Sequence, residues 1–162
     1  MRARPQMAPG VHEGAFRKRI VRVLSYRYLL SVPDPAVAGP APWPVLLFLH
    51  GSGERGSDLA NVKRHGPPRL VAEGVALPCI VVSPQCPRGE WWSTETLEAL
   101  LDHVLATCPA DPARVWLTGI SMGGYGAWAL ATRIPKRIAA LVPICGGGNP
   151  RWADRLKGVP IS

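Results

Sequence analysis

Apolar residues in this chain gather in short runs separated by proline- and glycine-rich stretches. Val45-Leu46-Leu47-Phe48-Leu49 is apolar throughout, the mark of a strand buried on both faces in a mostly parallel sheet. Cys79-Ile80-Val81-Val82, Arg114 to Thr118 and Ile138 to Ile144 read as further strands of the same kind. Between them the period changes. Leu97, Leu100, Leu101, Val104 and Leu105 recur at three and four, which predicts a helix over 94–106 capped by Ser93 or Thr94. Shorter helices are expected over 68–73 and near 151–157, and a longer one from just after Ser121 to about Arg133.

Upstream, Arg19 to Val32 is β-rich with partial alternation and predicts one long strand or a hairpin with a half-exposed face. Pro33 to Pro44 reads as a proline-rich loop, Asp111-Pro112 as a turn, and residues 1–15 as a loose tail. Val159-Pro160-Ile161 looks like the start of another strand. Strands alternating with helices argue βαβ units. The expected fold is α/β, a mostly parallel sheet flanked by helices and C-terminally incomplete, with residues 16–162 forming the N-terminal part of one domain.

Composition narrows the function classes. At 162 residues the chain suits one domain with a real core, and 47% hydrophobic against 19% charged residues excludes disorder. The net charge of +8 is spread through small clusters (Arg17-Lys18-Arg19, Lys63-Arg64, Lys136-Arg137) rather than one face interleaved with aromatics. That predicts a solvated basic surface and no nucleic-acid partner. The four cysteines form no C-x-x-C pair or zinc-ligand spacing, and Cys79 and Cys145, in apolar runs, read as buried thiols. No apolar core of a signal peptide follows the N-terminal basic residues, and no run nears the roughly 18 apolar residues of a membrane span. A soluble, cytoplasmic chain without a membrane span is the expectation.

The chemistry centres on Gly119-Ile120-Ser121-Met122-Gly123, between a β-run and a helix. A G-x-S-x-G in that context holds a serine Oγ exposed on a tight, strained turn, with free helix N–H groups facing a developing oxyanion. The bland alternative is a glycine-rich helix cap with an incidental serine. A second motif counts against it. His50-Gly51-Ser52-Gly53-Glu54-Arg55-Gly56 follows the first buried strand, where glycines let backbone amides approach a carbonyl closely. Ser121 is the candidate nucleophile, and the amides of Ser52 and Met122 are the candidate oxyanion donors. Trp91 and Trp92 are candidates for a pocket wall, or else one is core and the other a loop cover. Glu54 and Arg55 read as a loop-stabilising ion pair, with substrate steering as the alternative.

In order and spacing, Tyr26 to Leu30, the His50–Gly56 loop, Val81-Val82-Ser83-Pro84-Gln85-Cys86, Trp91-Trp92, the Ser121 turn and Pro143 to Gly148 resemble one group of proteins. That group is the α/β-hydrolase superfamily, specifically the phospholipase/carboxylesterase-like and predicted-peptidase esterases related to dienelactone hydrolases and polyhydroxybutyrate depolymerases. The resemblance implies a serine esterase acting on small-molecule carboxylic esters or thioesters, without metal or cofactor. It also implies an aspartate and then a histidine after the serine.

Neither follows in the expected place. Of His12, His50, His65 and His103, none comes after Ser121, and Asp154 is the only acid that does. His50 is expected to brace its loop rather than serve as a base, and Asp154 to be a surface charge. Three readings compete: a sequence that stops short of the full enzyme, a non-catalytic remnant or binding protein, and a partner chain that completes the site. The first is favoured, because half a sheet leaves an apolar edge unpaired. On that reading the 162 residues alone are expected to be inactive or nearly so.

Overall fold

A computed structural model describes residues 17–19 and 21–162; the expected tail over 1–15, His12 and Ile20 lie outside the described residues. The strands are β1 (Arg27–Ser31), β2 (Trp43–Leu49), β3 (Ile80–Gln85), β4 (Ala110–Ile120) and β5 (Ala140–Ile144). They form one sheet in the order β1-β3-β2-β4-β5. β1 runs antiparallel to β3, and the β2–β3, β2–β4 and β4–β5 pairs are parallel. The helices are α1 (Pro35–Ala38), α2 (Gly66–Ala72), α3 (Thr94–Thr107) and α4 (Met122–Arg133). The α/β class and mostly parallel sheet expected from the residue pattern are observed.

Alternate strand positions make the main core. Val45, Leu47 and Leu49 of β2, Ile80 and Val82 of β3, Val115 and Leu117 of β4 and Leu141 of β5 share one face with buried residues of α3 and α4. From α3 come Leu97, Leu100, Leu101 and Val104, the residues whose spacing predicted the helix, and the Ser93 hydroxyl accepts from the Thr96 amide as the cap. The opposite face is covered unevenly. Phe48 is buried there, so close to Gly66 at the start of α2 that a Cβ on that glycine would lie 2.7 Å from the ring.

Four expectations need correction. The strand or hairpin over Arg19–Val32 is realised only as β1. Residues 21–26 join no ladder, and Val21 and Val23 are 82% and 91% exposed. An alternating pattern makes a strand only where a neighbour offers its edge, and β3 offers it to Arg27–Ser31 alone. The Asp111-Pro112 turn lies within β4 as a bulge. Pairing jumps from Trp43↔Ala110 to Val45↔Val115, while the Asp111 carboxylate accepts from the Ala113 amide at 2.9 Å and from Arg114 Nε at 2.6 Å.

The third correction concerns β5, which is not buried on both faces: Leu141 is fully buried, but Val142 and Ile144 are 40% and 44% exposed. Cys145, expected as a buried thiol, is exposed just beyond β5, whereas Cys79 is buried. The strand start read at Val159–Ile161 is present as a parallel bridge from Ile161 to Leu141. In it the Leu141 amide donates to Pro160 O at 2.9 Å and the Ser162 amide to Leu141 O at 3.1 Å. No helix among the described residues is long and apolar enough to cross a membrane.

Candidate active site

Ser121 sits where β4 ends and α4 begins, exposed, with φ 53° and ψ −115°. Apart from Cys145 it is the only described non-glycine residue with positive φ. Such a conformation costs of order 1–3 kcal/mol and persists only when the surroundings over-determine it. Here they do. The Ser121 amide donates to Ile144 O at 2.8 Å, and its carbonyl accepts from the Tyr125 amide at 3.1 Å. Its side chain caps no amide, so Oγ is uncommitted.

The flanking glycines are dictated by backbone crowding. A Cβ on Gly119 would stand 2.3 Å from Gly123 O, and one on Gly123 only 1.9 Å from Leu49 O. No side chain fits at either position, which is why β4, α4 and the end of β2 approach so closely. Gly124 and Gly146 meet in the same way, binding the segment after β5 to the first turn of α4.

The His50–Glu54 loop lies directly against Ser121. A Cβ on Gly51 would fall 3.8 Å from the Ser121 Cβ and 3.3 Å from Glu54 Oε2. Ser52 opens a short 3-10 turn (Ser52–Glu54) and is exposed, while Met122 is the buried first residue of α4. No carbonyl among the described residues accepts from either amide, as befits the first positions of helical turns. The two candidate donors and the candidate nucleophile therefore stand on adjoining loops at one end of the sheet.

His50 is fully engaged below that loop. It is 1% exposed; the Cys86 amide donates to its Nε2 at 3.0 Å, so Nδ1 carries the proton and donates to Gly51 O at 2.6 Å. Burial pushes its pKa below the ordinary histidine value, against smaller opposing effects of the Gly51 bond and Glu54. Trp92, 8% exposed, packs against the His50 ring at 4.8 Å with the rings tilted by 59°, and donates Nε1–H to His50 O at 3.3 Å. It also fills the space above Gly126, where a Cβ would lie 2.7 Å from the indole. Of the two tryptophans, then, only Trp91 reaches the surface: it is 65% exposed and packs edge-on against Tyr125 at 6.3 Å.

Glu54 and Arg55 do not pair with each other. The Glu54 carboxylate, nearly buried, faces His65 Nε2 at 3.6 Å and His50 Nδ1 at 3.9 Å. Arg55 instead donates Nε to Ser52 O and Nη1 to Glu90 O, both at 3.1 Å, tying the His50 loop to the tryptophan loop. Gln85 completes the bracing by donating Nε2–H to Glu54 O at 2.9 Å and Asp58 O at 2.8 Å. Sequence reasoning did not single out Gln85 for a role; its signal was a lone amide ending a mostly apolar strand. Tyr26 was also missed as a support: its hydroxyl accepts from the Ser93 amide at 2.9 Å, and its ring meets Trp92 edge-on.

The remaining titratable groups lie outside this arrangement. His103 is on α3 against Tyr28, and Asp154 pairs with Lys157 at 2.9 Å in open solvent. Burial, and secondarily Glu90, push the Cys86 thiol up to about 11, so it stays protonated near neutrality. No group of three or more histidine, cysteine or acidic residues that could hold a metal occurs among the described residues.

Known proteins resemble the chain over most of its length. It is 37% identical over 115 residues to the 2-hydroxy-6-oxononadienedioate/2-hydroxy-6-oxononatrienedioate hydrolase of Paraburkholderia xenovorans (strain LB400), a match covering 65% of the chain and 37% of that protein. It is 29% identical over 126 residues to a bifunctional acetylxylan esterase/xylanase of Neocallimastix patriciarum, covering 73% of the chain and 18% of the relative. Among solved structures, a thermostable esterase superposes with a TM-score of 0.67 at 34% identity, over 83% of this chain and 40% of that one. No protein-family model matches. The chain thus spans well under half the length of these relatives.

Proposed function

The chain belongs to the α/β-hydrolase superfamily, and on that premise we propose that it carries the nucleophile and oxyanion donors of a serine hydrolase acting on carboxylic esters or thioesters. The observation that carries this reading is Ser121: exposed, uncapped, at positive φ, and hard against a loop with unpaired amides. Ser121 Oγ attacks the carbonyl carbon as a general base takes its proton, the Ser52 and Met122 amides receive the negative charge on the carbonyl oxygen, and collapse of that intermediate expels the alcohol or thiol, which takes up the proton and leaves an acyl-enzyme for water to hydrolyse. Each such amide is typically worth about 2.7–4 kcal/mol in the transition state. Trp91, against Tyr125, is the residue of the tryptophan pair best placed to line the acyl group. The tetrahedral steps need no cofactor.

The general base is the part this reading assigns elsewhere. His50 has both ring nitrogens committed beneath the loop, and His103 lies on α3 away from Ser121. We infer that residues 16–162 are one part of a single hydrolase domain whose acid and histidine lie outside this sequence. Treating the 162-residue chain with p-nitrophenyl acetate is the test. Slow acetylation selective for Ser121, found by mass spectrometry after long incubation and absent from Ser121→Ala, is expected, with turnover near background because the base serves acylation and deacylation alike and removing a triad member costs up to about 10⁶-fold. Acetylation confined to lysines would count against Ser121 as nucleophile. Sustained Ser121-dependent turnover would instead place a base within the chain.

A further inference from the structure

The loops that follow β2 and β3 enclose a cleft of about 440 Å³ lined by Arg55, Ser57, Asp58, Asn61 and Arg88, with Gly56 and Pro87 between them. It opens at the carboxyl ends of the strands, where ligands of α/β sheets bind. Its charge is unbalanced. Arg55 and Arg88 line it, and Arg27 reaches the same loop from outside, donating Nη1–H to Ser57 O. Against them stands Asp58, with one carboxylate oxygen held by the Ala60 amide at 3.0 Å.

Five arginines elsewhere among the described residues meet acids. Arg114, Arg133 and Arg137 reach Asp111, Glu98 and Asp102, each at 2.6 Å. Around the cleft they do not. Arg55 bonds only to the carbonyls of Ser52 and Glu90, and Arg88 has no hydrogen bond or ion pair among the described residues. Unneutralised guanidinium groups on one concave wall raise the local positive potential, and their planar fork matches a carboxylate. The Asp58 carboxylate on the same cleft opposes a second negative charge, which disfavours phosphate.

We propose that this cleft is a carboxylate subsite: Arg88 and Arg55 receive a free carboxylate carried by the ester substrate whose carbonyl is presented to Ser121. The substrate class is then a half-ester or half-thioester of a dicarboxylic acid. Gly51, against Ser121, and Arg55 are separated by one 3-10 turn, about 8 Å at roughly 2 Å per residue. A short carbon chain spans that gap. The substrate assignment rests on the ester-hydrolase reading of Ser121, whereas carboxylate binding does not.

Titration with adipate, dimethyl adipate and inorganic phosphate tests the subsite directly. Isothermal titration calorimetry serves as the readout. Adipate is expected to bind saturably and the other two weakly. Arg88→Gln should weaken adipate binding about tenfold or more. Arg55→Lys, which keeps the charge and loses the fork, should weaken it less. Adipate binding unchanged in Arg88→Gln, or matched by phosphate or dimethyl adipate, overturns the subsite. If Arg88-dependent adipate binding persists while Ser121 resists acylation, the ester-hydrolase reading fails and the carboxylate site stands. Acylation of Ser121 with Arg88-independent binding does the reverse, overturning the subsite and leaving the ester-hydrolase reading in place.

Discussion

β2 and β5 are written in much the same apolar alphabet, Trp43-Pro-Val-Leu-Leu-Phe-Leu49 against Ala140-Leu-Val-Pro-Ile144, yet they fare differently. β2 is flanked by β3 and β4, with α3 and α4 on one face and α2 against Phe48 on the other. Beyond its end, His50, Gln85 and Trp92 hold the following loop from below. β5 has β4 on one side and only the short Ile161 bridge on the other, and Val142 and Ile144 face solvent. Apolar sequence supplies the demand for burial; the number of neighbours decides whether it is met.

That contrast can be broken or sharpened by substitution. The largest effect is expected where the β2 end, β4 and α4 meet. Gly123→Ala places a Cβ into Leu49 O, a backbone atom that cannot yield, and should cost about 3 kcal/mol or more by urea unfolding. Gly53→Ala, whose Cβ meets nothing within 4 Å, should stay within about 0.5 kcal/mol. A similar cost for the two would refute the crowding argument.

Leu47→Ala, at a fully buried position of β2, is expected to lose about 2–5 kcal/mol, and Val142→Ala on β5 under about 1 kcal/mol. Equal losses would mean that β5 is as well covered as β2.

A pH titration probes the loop support itself. Because burial lowers the folded pKa of His50, the unfolded chain takes up a proton first as pH falls. The stability this histidine contributes is therefore complete above about pH 6.5, its unfolded value, and declines as pH drops toward the folded one. Urea midpoints measured from pH 7.5 to 5 should fall less steeply in His50→Gln. An unchanged slope would assign the acid sensitivity to other groups. The smallest change in stability is expected from Ile144→Lys on the exposed β5 edge, within about 0.5 kcal/mol. Its effect should appear in light scattering as reduced self-association.

Much of the architecture was legible because its signals are local. The three-four recurrence in α3, the apolar runs of β2 and β3 and the glycines around Ser121 each record a constraint met within a few residues. The site was legible in part for the same reason: G-x-S-x-G and the His50–Gly56 run are backbone requirements written as glycines. What escaped the reading depends on residues far apart in sequence. His50 is recognisable as a brace, but its partners at Cys86 and Trp92 are contributed by other segments. Glu54 and Arg55, neighbours in sequence, diverge to His65 and Glu90 because the 3-10 turn sends their side chains to different loops.

The sequence by itself determined the class of fold and marked the place of the candidate nucleophile. These follow from periodicity, turn chemistry and composition, which act over one turn or one strand. Only the tertiary structure decided that residues 21–26 stay outside the sheet and that one tryptophan is a pillar while its neighbour is a surface. The same holds for Arg55 and Arg88, which share a cleft and form no ion pair with Asp58, the one acid lining it. Burial and pairing are properties of neighbours, and neighbours are chosen when the sheet assembles.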